Sequence, residues 1–285
     1  MDKLKIAIQK SGRLNEGSLK LLRDCGIIVE NGRDQLKASA RNFPAEILYL
    51  RNSDIPQYVE DGVAHVAILG ENVVLESNCD IDIIERLGFS KCRLSLAVPK
   101  EVDYPGLEYF NNKKIATSYP NTLSSFFEKN GLSGEIHKIN GSVEIAPNIG
   151  LADAICDLVS SGSTLFSNGL KEVEVIVKSQ SCLARRKELD PAIENILNKF
   201  IFRMQAVLNA RKSRYILMNV PNNKIEEISS ILPVLKSPTI MPLAQEGWSS
   251  LHSVINENEF WEVIDQLKEA GAEGILVVPI EKIVV

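Results

Sequence analysis

The stretch Ile149 to Gly169, IGLADAICDLVSSGSTLFSNG, constrains the fold more than any other. Ile155 to Val159 is an apolar run of strand length and reads as a buried strand. It leads directly into Ser160-Ser161-Gly162-Ser163-Thr164, small hydroxyl residues around a glycine. A short helix is expected to start near Ser163 and to stop at Asn168-Gly169, a usual C-terminal signal. Such a loop lets backbone N–H groups turn toward one point, and the helix start adds its positive end, so a phosphate suits the place. Asp153 and Asp157, four residues apart, share a face whether the backbone is helix or strand. That spacing suits a sugar diol or a metal. The plainer alternative is that Asp157 caps a turn and the Ser/Gly run is an ordinary loop.

The rest of the chain repeats the same grammar. Leu4 to Ile8 reads as a strand, and Gln9-Lys10-Ser11-Gly12-Arg13 as a loop opening a helix that ends near Gly26; a glycine flanked by Lys10 and Arg13 is a second resting place for an anion. Glu46 to Leu50 is a strand leading into Arg51, and Asn52-Ser53-Asp54 is expected to cap a helix to Gly62. The segment Asp61 to Gly70 echoes Ile149 to Gly162, which suggests two lobes built alike. Strands follow at Ile81 to Leu87, Lys91 to Val98 and Lys114 to Ala116. Thr117 to Thr122 reads as a loop before a helix to Asn130-Gly131, Glu135 to Ile139 as a strand, and Gly141 to Glu144 as the opening of a helical segment. This alternation implies mostly parallel sheets with ligands at the strands' C-terminal ends. A long β-rich run, Glu172 to Leu183, is able to carry the chain back from the second lobe to the first. That plan resembles the periplasmic-binding-protein architecture, with a ligand between the lobes.

Glu188 to about Arg211 has helical periodicity, and Arg211-Lys212-Ser213 reads as a hinge. Beyond it lie strand Tyr215 to Val220, helix Asn222 to Leu232, strands Thr239 to Leu243 and Ser250 to Ile255, helix Glu259 to Ala270 and strand Gly274 to Val278. That βαββαβ order is ferredoxin-like, the plan of small ACT-like ligand-sensing regulatory modules. The expected fold is therefore α/β, a two-lobed catalytic core with a C-terminal regulatory domain. Lobe I is assigned residues 1–93 and 177–210, lobe II residues 94–176, and the regulatory domain residues 211–285.

Composition narrows the partners. A chain of 285 residues exceeds what one core usually encloses. Its net charge of −5 argues against a nucleic-acid surface, which requires a basic one. Five scattered cysteines without CxxC spacing suit a reducing cytoplasm, and no signal peptide or membrane span is expected. His65, His137 and His252 lie far apart, in strand-like runs, without zinc spacing; each reads as structural. Neither a GxSxG elbow nor a Walker A loop is present.

Acids for ribose hydroxyls followed by a loop for a 5′-phosphate resemble the signature of phosphoribosyltransferases, which bind phosphoribosyl pyrophosphate (PRPP). The blocks IAIQKSGRL, KIATSYPNT, GSVEIAP, GLADAICDLVSSGSTL, SPTIMPLA, LHSV and GILVVPIEK together resemble the long-form ATP phosphoribosyltransferase family, in order and over nearly the whole chain. The resemblance implies transfer of 5-phosphoribosyl from PRPP to N1 of ATP with release of pyrophosphate, the first step of histidine biosynthesis, in the cytoplasm. It implies Mg²⁺ held mainly through PRPP, with no site made of side chains alone. By the same resemblance Asp153, Asp157 and Glu144 are catalytic, and Asp153, Asp157 and Ser160, Ser161, Gly162, Ser163 and Thr164 bind PRPP. Lys10, Gly12, Arg13, Arg51 and Tyr119 face ATP. Glu144 would bind a hydroxyl or the adenine amino group; Tyr119 would pack on a base or ribose, or only shape its loop. Feedback inhibition by L-histidine is implied, with Asn219, Leu235, Thr239 and Gly274 as the pocket, unless Leu235 is plain core. Homo-oligomers, dimers and hexamers, are implied; no nucleic acid or membrane partner is. Short-form members lack the third domain and borrow a partner subunit. Two rivals stand beside this reading: a non-catalytic two-lobed small-molecule-binding protein, and a metal-free transferase acting on another pyrophosphorylated sugar.

Overall fold

The computed structural model describes residues 2–30, 36–232 and 237–284. The chain divides into two compact units, Met1–Arg23 with Ile27–Ile196, and Asp24–Gly26 with Leu197–Val285.

The first unit begins with β1 (Leu4–Gln9), α1 (Arg13–Asp24), β2 (Lys37–Ser39), β3 (Ala45–Leu50), α2 (Ile55–Glu60), β4 (Val66–Gly70), α3 (Glu71–Ser77) and β5 (Ile81–Arg86). It continues with β6 (Cys92–Pro99), β7 (Lys114–Thr117), α4 (Pro120–Asn130), β8 (Glu135–Lys138), β9 (Ala154–Val159), α5 (Ser163–Ser167), β10 (Leu170–Ser179) and β11 (Ser181–Arg186). Helix α6 (Pro191–Arg211) straddles the division.

Two sheets define two lobes. The first has the order β2-β3-β1-β4-β11-β5, the second β10-β6-β9-β7-β8. Both have the same plan: three adjacent parallel strands, β3-β1-β4 and β9-β7-β8, with antiparallel strands added beside them. The expectation of mostly parallel sheets is therefore corrected to mixed sheets. The strands that carry the chain between lobes, β6 on the way out and β10–β11 on the way back, pair antiparallel to their neighbours. Those pairings depend on where the chain crosses, which no local pattern encodes.

Local chemistry accounts for the elements. Strand β1 buries Leu4, Ile6, Ala7 and Ile8, alternate and adjacent positions alike, because both faces of a central strand are covered. Helix α1 buries Leu14, Ser18, Leu21 and Leu22, a stripe at helical spacing. Helix α4 starts at Pro120, earlier than the loop expected there, since proline is preset for the first helical position and its missing N–H costs nothing. It ends at Gly131, in the left-handed region at φ 65°. Asp54 occupies the N-cap of α2 without capping it through its side chain; its carboxylate accepts from Ser53 Oγ instead. The helical segment expected after Gly141 is a single 3₁₀ turn, Val143–Ile145.

His65 is structural. The Lys5 N–H donates to its Nδ1 at 3.0 Å, and burial, with Lys5 and Arg186 nearby, lowers its pKa from 6.5. A depressed folded value means the contribution is present above pH 6.5 and lost as pH falls toward the folded pKa, because the unfolded chain takes the proton first. The melting temperature measured from about pH 8 down to about pH 5 is expected to drop more for the parent than for His65→Gln.

The second unit contains β12 (Ser213–Pro221), α7 (Ile225–Ile231), β13 (Thr239–Pro242), β14 (Trp248–Asn256), α8 (Glu257–Glu269) and β15 (Glu273–Pro279). Its sheet order is β13-β14-β12-β15, antiparallel throughout, the ferredoxin-like arrangement. Ile216, Met218, Val220, Leu251 and Ile255 pack with Ile228 and Leu267 in its core.

Candidate active site

The C-terminal ends of the parallel strands carry the polar loops. In the first lobe, Lys10 and Arg51 follow β1 and β3, which pair Gln9 with Leu50, so the two cations share one sheet edge. Gly12, at φ 85°, turns the chain into α1, which opens with Arg13. Lys10, Arg13 and Arg51 are exposed and have no ion-pair partner among the described residues. Asn52 Oδ1, next to Arg51, is buried without a hydrogen-bond partner among the described residues.

In the second lobe, β9 delivers the chain into residues 160–164. Gly162 is at φ 83°, a conformation costly for any residue with a Cβ. The N–H groups of Gly162, Thr164 and Leu165 find no acceptor among the described residues. Ser161 and Ser163 hydroxyls lie 3.0 Å apart. With only the residues Ser163–Ser167, α5 adds little macrodipole; the loop's unpaired donors are its main asset.

Asp157 lies in β9, half-buried, and its carboxylate accepts from the Leu158 N–H at 2.7 Å. Burial raises its pKa, and Glu144, from the 3₁₀ turn, raises it further. Tyr119, at the head of α4, has its pKa raised by burial and then by Asp157. Glu144 thus acts electrostatically on Asp157, and Asp157 on Tyr119. Asp153 does not join them. It precedes β9, at the opposite end from the loop, where its Oδ2 accepts from the Lys114 N–H at 2.8 Å and Lys113 Nζ lies 3.7 Å from its Oδ1. Four residues of extended chain span about 13 Å, so matching strand parity does not bring the two acids together, and the shared-site expectation is corrected.

Several residues missed in the sequence bind the lobes to each other. Asn72, almost fully buried at the head of α3, donates from Nδ2 to Tyr119 Oη at 3.2 Å, and its Oδ1 accepts from Ser179 Oγ at 2.8 Å. Glu76 accepts from the N–H groups of Asn121 and Thr122 and from Thr122 Oγ1. Neither residue stands in a motif; only their meeting across two lobes marks them. A cavity of about 390 Å³ lies where the connecting strands cross, lined by Glu71, Lys91, Arg93, Ser160, Lys178 and Gln180 among others.

In the second unit, Asn219 on β12 is exposed beside Gly274 of β15; a Cβ built on Gly274 would lie 3.3 Å from Asn219 Nδ2. Thr239 on β13 pairs with His252 on β14, which pairs in turn with Leu217 on β12, so two strands lie between Thr239 and β15. The structure therefore brings Asn219 and Gly274 together and leaves Thr239 at the far edge. Leu235 lies outside the described residues.

The fold defines the class: a two-lobed α/β core of periplasmic-binding-protein type with a C-terminal ferredoxin-like domain. The family described as ATP phosphoribosyltransferase matches residues 51–230, and the family's C-terminal domain matches residues 210–282. The ATP phosphoribosyltransferase of Cytophaga hutchinsonii is 57% identical over 281 residues, covering 99% of this chain and 98% of that one. That of Bacteroides thetaiotaomicron is 56% identical, covering 99% and 100%. Among solved structures, the ATP phosphoribosyl transferase (HisG:HisZ) complex from Thermotoga maritima aligns with TM-score 0.63 at 29% identity, over 72% of this chain and 98% of that one. The substrate binding protein of an amino acid ABC transporter aligns with TM-score 0.50 at 12% identity, over 73% and 94%, a likeness of fold alone. The chain belongs to the ATP phosphoribosyltransferase family, in its long form.

Proposed function

We propose that this protein transfers the 5-phosphoribosyl group of PRPP to N1 of ATP, releasing pyrophosphate, and that L-histidine inhibits it through the second unit. The observation that carries the reading is the pairing, in one lobe, of the half-buried Asp157 with a loop of unpaired N–H donors. Loss of pyrophosphate from C1 leaves an oxocarbenium-like ribose, so the site has to hold the sugar and favour positive charge. Asp157 serves that charge, residues 160–164 hold the 5′-phosphate, and Glu144 binds a hydroxyl or the adenine amino group. The cations Lys10, Arg13 and Arg51 face phosphates from the other lobe, and Tyr119 borders the base or ribose. The PRPP role first expected for Asp153 is not retained.

Mg²⁺ fits this donor set. Among the described residues no group of three or more His, Cys, Asp or Glu converges on a point. Mg²⁺ however commonly takes one or two carboxylates together with phosphate oxygens. Asp157, whose pKa the neighbouring Glu144 helps to raise, would supply that pair together with Glu144. The ion would neutralise charge on the departing pyrophosphate.

We place the protein in the cytoplasm as a homo-oligomer, dimer or hexamer; among the described residues no helix is long and apolar enough to cross a membrane. The deciding assay incubates the protein with ATP, PRPP, Mg²⁺ and pyrophosphatase and follows N1-phosphoribosyl-ATP by ultraviolet absorbance. Product that requires both substrates and falls with L-histidine at about millimolar concentration, a generous level on the affinity scale, is expected. Product insensitive to histidine would overturn the regulatory assignment. No product from folded protein would favour a two-lobed binding module, which PRPP would still protect thermally.

A further inference from the structure

The phosphate loop is held from outside. Arg93, at the start of β6, donates from Nε and Nη2 to the two carboxylate oxygens of Glu172 on β10. Ser95 Oγ donates to the same carboxylate at 2.7 Å. The remaining arm, Nη1, donates to the carbonyl of Ser160 at 3.1 Å. Ser160 is where β9 ends and the loop begins.

The loop has little to hold itself. No side chain caps α5, and the Ser161–Ser163 contact joins two exposed hydroxyls. Its glycine occupies a conformation few residues adopt. An outside support at Ser160 therefore decides how the following N–H groups are aimed.

Arginine is the side chain for this task. Its planar fork binds a carboxylate with two N–H groups and keeps others for a carbonyl, whereas lysine offers a single point of charge. The Arg93 hydrogen bonds also hold the Glu172 carboxyl below its ordinary pKa, so the pair stays charged through the neutral range.

We propose that Arg93, clamped by Glu172 and Ser95, is a positioning residue that fixes the Ser160 carbonyl and so the course of the phosphate loop. The inference rests on the reading of residues 160–164 as the site of the PRPP 5′-phosphate. It concerns residues the sequence patterns never singled out.

The test uses the full chain with Arg93→Lys and Glu172→Gln. Amide hydrogen exchange of peptides covering residues 159–168 reads the loop directly. Both variants are expected to exchange about tenfold faster there, in line with losing a hydrogen bond to a charged group. The KM for PRPP is expected to rise about tenfold while that for ATP stays within about twofold and the melting temperature barely moves. Unchanged loop exchange in both variants overturns the proposal, and so does a common shift of both KM values with the melting temperature, the pattern of plain destabilisation. A fall in kcat with unchanged exchange would mean that Arg93 touches substrate itself, and would equally overturn it. If the parent shows no PRPP-dependent turnover, the transferase reading falls, while the exchange measurement still decides whether Arg93 holds the loop.

Discussion

Asp157→Asn is expected to lower turnover about a thousandfold, the scale of removing one well-placed electrostatic partner of a transition state, yet to melt no lower than the parent at neutral pH. The two halves have one cause. Asp157 sits half-buried in β9, and burial together with Glu144 raises its pKa. A carboxyl with a raised folded pKa contributes stability while protonated and loses it as pH rises through that value. Once ionised, the side chain is therefore a structural cost, placed where the proposed reaction would develop positive charge on the sugar. Asparagine keeps the shape and an acceptor for the Leu158 N–H, and removes the charge. Steady-state kinetics with both substrates saturating, and melting curves at about pH 5 and about pH 7, check both halves. The melting difference between variant and parent should shrink toward the acid end. Undiminished turnover in the variant would remove Asp157 from the chemistry.

Phe110→Ala is expected to destabilise the second lobe by about 3–5 kcal/mol, the range for truncating a buried aromatic ring. Phe110 is completely buried and packs with Leu94, Leu96, Ile115, Leu123 and Phe127. Its ring centroid lies 5.4 Å from that of Tyr109 in an edge-on pair and 5.7 Å from that of Tyr104. Neighbours held by strands β6, β7 and β9 cannot collapse into the space, so the cavity term adds to the lost transfer energy. For a domain of this size the melting temperature should fall by roughly 10 °C. Phe166→Ala is the contrast: that ring is 72% exposed, with Lys100 Nζ 3.5 Å from its centroid, and its loss should cost no more than about 1 kcal/mol. Equal losses from the two substitutions would refute this account of the core.

The strand–loop–helix part of the candidate site was legible because it is contiguous in sequence. Asp157 and residues 160–164 lie on one strand–loop–helix unit, and the small residues that let N–H groups face an anion are visible as letters. Tyr119 and Glu144 were readable as polar residues at strand ends; that Glu144 acts on Asp157, and Asp157 on Tyr119, was not. Asp153 was misread because strand parity specifies a face and not an end. Asn72, Glu76, Arg93 and Glu172 gave no signal, since an asparagine or an arginine near a strand end is commonplace until its partner is known. Asn72 meets Tyr119 and Ser179, and Arg93 meets Glu172 and Ser160, across 47, 107, 79 and 67 positions of chain.

By itself the sequence determined most strands and helices in order, though not β2 or α3, together with the βαββαβ plan of the second unit and the glycine-centred turn after β9. These depend on periodicity, turn residues and side-chain type, all properties of neighbouring positions. Only the tertiary structure decided which strands run antiparallel, which end of β9 each aspartate occupies, and which residues tie one lobe to the other. Those are matters of pairing between distant segments, where the hydrogen bond goes to whichever partner the packed chain delivers within about 3 Å, and no local pattern names that partner.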